Sequence, residues 1–117
     1  MDAPRIQTAI PRRRYRLGTY QAVLLDEIES ADSVKYRYII ALVREGETRP
    51  SLYVTCEKNP RSRAQEGAYR LRIITDVFDE EMGSSDAWAD AEAFTAEGLG
   101  LAARTLGLGD EKPVPLM

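Results

Sequence analysis

A chain of 117 residues suits one domain, with a core large enough to hold without cross-links. It is 44% hydrophobic and 30% charged, with a net charge of -3, which gives no general drive toward nucleic acid. Histidine is absent and Cys56 is the sole cysteine, which excludes the commonest general base, an internal disulfide and a cysteine-rich zinc site.

The N-terminal stretch lacks the continuous apolar core of a signal peptide. No apolar run approaches the roughly 20 residues of a membrane helix. A lone thiol fits a reducing compartment, so the expected location is the cytoplasm, with no membrane contact. Residues 1–13 hold Pro4 and Pro11 without steady periodicity and predict a flexible arm. Arg12, Arg13, Arg14 and Arg16 form a basic cluster. It reads either as a contact for phosphate or an acidic partner, or as a solvated lead-in to the first strand.

Tyr15 to Ile28 reads as one long strand, with Gly18 as a bulge. Glu29 to Ser33 is a short polar connection. The second strand, Val34 to Arg44, alternates strictly in its first half. Val34, Tyr36, Tyr38, Ile40 and Leu42 fall on one side, and Lys35 and Arg37 on the other. In its second half Ile39, Ala41 and Val43 make the opposite side apolar too, which predicts a central strand. A glycine among charged residues, Glu45 to Arg49, predicts a hairpin loop. The third strand, Ser51 to Glu57, sets Leu52, Val54 and Cys56 on one side and Tyr53, Thr55 and Glu57 on the other. Cys56 on the apolar side reads as inert packing, since a nucleophile would need a base or cationic pocket beside it. Lys58 to Glu66, with Pro60 between Lys58 and the arginines Arg61 and Arg63, predicts a basic loop. It is either solvated or in contact with an anion.

Gly67 to Phe78 reads as the fourth strand, with Arg70 and Arg72 on the side opposite Tyr69, Leu71 and Ile73. The acidic run Asp79-Glu80-Glu81 lacks the spacing of an EF-hand loop. It suits the start of a helix, where the dipole favours negative charge. A helix capped by Ser84 or Ser85 is predicted to run to Leu106, with Gly107 at its end. Its stripe is Trp88, Ala91, Phe94, Gly98, Leu101, Ala102 and Leu106, and the small residues permit close approach to a packed surface. A break near Gly98 is the competing reading. About 23 residues give a helix near 34 Å. Residues 109–117 predict a flexible tail.

The expected fold is α+β: a four-stranded antiparallel meander, residues 14–108, with one long C-terminal helix across one face. The helix has one stripe, so the other sheet face stays open. Lys35, Arg37, Tyr53, Arg70 and Arg72 are expected there, with Arg61 and Arg63 in the adjoining loop, as contacts for a partner or an anion. The half-apolar character of that face favours association with a second copy or another protein. The resulting expectation is a non-enzymatic interaction domain, adaptor-like or chaperone-like, with no cofactor and no metal. Single-stranded nucleic acid on stacked tyrosine and arginine and an anionic small ligand are the alternatives. No catalytic constellation is recognisable.

Overall fold

The computed structural model describes residues 3–63, 67–77, 79–109 and 111–116, with the backbone alone at 59–63. Among these residues the chain forms seven strands and one α-helix. The strands are β1 (Ile6–Leu17), β2 (Tyr20–Ser30), β3 (Tyr36–Arg44), β4 (Pro50–Arg63), β5 (Gly67–Thr75), β6 (Asp79–Ser85) and β7 (Val114–Pro115). They pair antiparallel in the order β6-β5-β4-β3-β2-β1-β7. A 3-10 turn, Ala87–Ala89, leads into α1 (Ala91–Thr105). The single antiparallel sheet with one helix agrees with the sequence; a sheet of four strands does not.

The extra strands have separate causes. Tyr15 to Ile28 is not one strand, because Gly18 at φ +60 makes a two-residue turn and Leu17 pairs with Tyr20. The turn inverts the alternation, so Leu17 shares a side with Tyr20, Ala22 and Leu24 rather than with Val23 and Leu25. Residues 6–13, expected to be a flexible arm, then supply most of β1. Residues 58–63, expected to be a loop, continue β4. The register shifts between Lys58 and Arg63, the kind of irregular pairing in which a strand tolerates a proline. The acidic run Asp79–Glu81 forms β6 at one edge rather than a helix start, held by cross-strand arginines on β5. At the other edge the tail returns: β7 pairs with Tyr15 and Arg16, and the Leu116 N–H donates to the Arg14 carbonyl.

The helix therefore starts later than Ser84 or Ser85. Asp90 is its cap, accepting from the Ala93 N–H at 3.0 Å. With 15 residues it is about 22 Å long. It runs unbroken through Gly98 and Gly100, and Gly107 follows its last turn at φ +69. Its buried side seats on the middle of the sheet. A Cβ on Gly98 would lie 2.8 Å from Ile40 Cδ1 and 3.4 Å from Val54 Cγ1. Phe94 stacks on Tyr38 with ring centroids 5.7 Å apart. The inner sheet face is thus Leu17, Ala22, Leu24, Ile40, Leu42, Leu52, Val54, Cys56, Leu71 and Ile73, all buried with the helix in one core.

Replacing Gly98 by valine forces three carbons into that contact and is expected to cost about 2–3 kcal/mol of unfolding free energy. Gly100→Ala meets only the Arg104 guanidinium at 3.6 Å and is expected to gain up to about 1 kcal/mol from helix propensity. Urea titration of the two variants measures both signs.

Candidate interaction face

Cross-strand partners share a face of a sheet, so the register maps the side away from α1 into rows. One row runs Arg14, Val23, Ala41, Tyr53, Ile74, Asp79 from β1 to β6. The next runs Pro11, Leu25, Ile39, Thr55, Arg72, Glu81. A third holds Tyr36, Glu57, Arg70 and Ser84. Arg16, Gln21 and Val43 line the opposite margin.

Arg70, Arg72 and Tyr53 lie on this outer face, as the alternation requires. Arg37 does not. A register shift between Tyr36 and Tyr38 sets Tyr36 against Glu57 and Tyr38 against Cys56. The bulge turns Tyr36 outward and carries Arg37 toward the helix side. There its guanidinium sits 4.6 Å from the Tyr38 ring and donates to the Ala89 carbonyl. Lys35 precedes β3 and is exposed, its carbonyl accepting from the Lys58 N–H. The side chains of Arg61 and Arg63 lie outside the described residues. The N-terminal arginines also diverge. Arg13 reaches Glu92 on α1, Arg12 reaches Asp26 and Glu27, and Arg14 and Arg16 belong to the outer face. Of the arginines expected on the open face, Arg70 and Arg72 therefore lie there and Arg37 does not.

What organises the basic residues is a carboxylate not singled out in the sequence. Glu57 is fully buried on the outer face. Its Oε1 accepts from Arg70 Nε at 2.8 Å. Its Oε2 accepts from Arg72 Nε at 2.7 Å and from the Thr55 hydroxyl at 2.6 Å. On their outer sides Arg70 reaches Glu81 at 3.5 Å and Arg72 reaches Asp79 at 3.3 Å. A buried carboxylate is tolerable when guanidinium donors satisfy its lone pairs. The signal for it was an acid at alternating spacing from Tyr53 and Thr55, in a strand facing two arginines. Both guanidinium forks are spent on carboxylates, so an incoming phosphate would have to displace them.

The cluster extends to the β2–β3 connection. The Tyr36 hydroxyl donates to Asp32 at 3.1 Å. Burial raises the Tyr36 pKa, and the carboxylates of Asp32 and Glu57 raise it further. Burial alone would raise the Asp32 pKa, but hydrogen bonds from the Arg5 N–H, Ser30 hydroxyl, Val34 N–H and Tyr36 hydroxyl outweigh it, and the net shift is downward. Cys56 lies in the core on the helix side, donating to the Trp88 carbonyl at 3.3 Å. Burial pushes its thiol up to about 12, so it stays protonated at neutral pH and is no nucleophile.

Arg37 opens onto a cleft of about 390 Å³ shared with Asp26, Glu27 and Glu29, an acidic surround rather than an anion pocket. Around the buried Ile39, Ala41, Thr55 and Ile74, the side chains of Val23, Leu25, Val43 and Tyr53 are partly exposed. No helix among the described residues is long and apolar enough to cross a membrane. Comparison with protein-family models, with curated proteins and with solved structures finds no match.

Glu57→Ala leaves two guanidiniums without their shared acceptor and is expected to cost about 3 kcal/mol; a loss below about 1 kcal/mol by urea titration contradicts the buried pairing. The depressed Asp32 pKa contributes stability that is present above pH about 4 and is lost as pH falls through its lower folded-state value. Asp32→Asn is therefore expected to flatten the acid limb of the stability–pH curve and leave its slope near neutrality unchanged.

Proposed function

We propose that the chain is a non-enzymatic protein-interaction domain, adaptor-like or chaperone-like, that works through the outer face of its sheet. The observation that supports it most is the group Val23, Leu25, Val43 and Tyr53, partly exposed around the buried Ile39 and Ala41 on the side of the sheet away from α1. Partly exposed aliphatic and tyrosine side chains beside a closed apolar layer are common in contact sites for other chains. Tyrosine adds a rigid amphipathic contact at low entropic cost.

The nucleic-acid and anionic-ligand readings draw less support. Stacking and phosphate contact would need Tyr53 beside free cations, yet Arg70 and Arg72 are held by Glu57, Asp79 and Glu81. Arg37 belongs to the other side of the sheet.

Capture of the tagged chain from the lysate of its own cells, together with self-association measured on the purified chain, tests the reading. The wild type is expected to hold a protein partner, its own copy included. Leu25→Lys with Val43→Lys is expected to lose it by at least about tenfold in affinity, roughly 1.4 kcal/mol. Glu97→Lys, on the exposed side of α1, is expected to keep it. Full retention by a folded Leu25→Lys, Val43→Lys variant contradicts the reading, as does the absence of any partner.

A further inference from the structure

An open sheet accepts a strand from another chain wherever an edge offers a regular row of unpaired backbone groups. The two edges of this sheet are protected by different means. Along β6, Asp79, Glu80 and Glu81 are exposed carboxylates, and the pairing with β5 shifts beside Gly83. Along β1, all three register shifts fall between Ile6 and Arg13, and Pro11 lies in the same stretch. From Arg13 to Leu17 the ladder with β2 is regular. That stretch is the part of the edge best suited to accept a further strand, and it is where β7 lies.

β7 can pair on one side only. The Leu116 N–H donates to the Arg14 carbonyl at 2.9 Å, and successive residues of a strand turn their backbone groups to opposite edges. Val114 and Leu116 therefore present their N–H groups to β1. The alternate positions, turned outward, are Pro113 and Pro115, which have no N–H to offer a further strand. The side chains of Val114 and Leu116 stay 54% and 41% exposed, so backbone pairing rather than side-chain burial holds the segment. Leu108 places it. A Cβ on Gly18, in the β1–β2 turn, would lie 3.1 Å from Leu108 Cδ2, so the chain leaving α1 is anchored beside the end of β1 that β7 covers.

We propose that residues 113–116 are a guard built into the fold, which closes the regular edge of β1 to strand addition, and that releasing them lets β1 pair with β1 of a second copy. The proposal concerns the edge of the sheet and does not rest on the reading of its outer face. The short tether from Leu108 gives the guard an effective concentration of about millimolar order at β1. In place, it excludes a free strand at lower concentrations. Its own outward side adds no new edge, because the prolines withhold the donors that strand addition needs.

Full-length variants that remove the inward donors test this. Val114→Pro with Leu116→Pro leaves the guard without an N–H toward β1. Light scattering across a concentration series is expected to give it a self-association constant at least about tenfold tighter than the wild type's. Leu116→Pro alone removes the donor to Arg14 and is expected to shift association in the same direction. Val114→Ala with Leu116→Ala trims the same side chains but keeps both N–H groups, and is expected to behave as the wild type. Hydrogen exchange locates the contact. The Arg16 N–H, which the register turns toward β7, is expected to be protected at every concentration in the wild type. In the double proline variant it is expected to exchange fast in dilute solution and to be protected again as the copies pair. Association of that variant is also expected to survive Leu25→Lys with Val43→Lys, since it uses the edge. Its loss in that background assigns the contact to the outer face and overturns the guard. An unchanged association constant in the double proline variant overturns it too, as does an Arg16 amide that exchanges as fast in the wild type as in the dilute variant.

Discussion

The close seat of α1 on the centre of the sheet sets everything else. At Gly98 the helix backbone comes so near β3 and β4 that Ile40 and Val54 occupy the space a side chain would take. Apolar contact over the whole buried side, from Phe94 to Ala103, stabilises the pair. Small residues at Gly98 and Ala102 bring the axes close enough for dispersion contacts to be dense. Arg13 to Glu92 fastens the far side of the helix to β1. One short helix commits one face of a wide sheet and leaves the other to be satisfied differently.

That other face is handled in two ways. Toward β5 and β6 the solution is ionic. Glu57 is stripped of water, and its desolvation is offset by donors from Arg70, Arg72 and Thr55, with Asp79 and Glu81 closing the outer side. The result is a polar seam whose charged groups are paired with one another. Toward β2 and β3 the face is apolar, with Val23, Leu25 and Val43 partly exposed beside the buried Ile39 and Ala41. The contrast between a closed polar seam and an open apolar margin supports a protein partner over an anion as the proposed occupant.

Much of this was legible in the residues. The alternation in Val34 to Arg44 placed β3 at the centre of an antiparallel sheet, and the stripe through Phe94, Gly98 and Ala102 identified the face of the helix and its close approach. Strand number was not legible, for a physical reason. A two-residue turn at Gly18 and Thr19 leaves the extended pattern uninterrupted in sequence while reversing its direction in space. The acidic β6 has poor intrinsic strand propensity and exists because β5 offers arginines across from it. Arg37 was misplaced by a single bulge at Tyr36, since one extra residue moves a side chain to the opposite face. Arg70, Arg72 and Tyr53 were placed on the outer side, but Glu57 was passed over because its meaning lies in long-range pairing.

The most direct measurement of the central claim is a set of nuclear Overhauser contacts in methyl-labelled protein. The account predicts strong contacts from Gly98 Hα to the Ile40 δ1 methyl and from the Phe94 ring to Tyr38, with none from α1 to Ile39 or Val43. Contacts from Gly98 or Phe94 to the Ile39 or Val43 methyls would put the helix on the opposite face and contradict it.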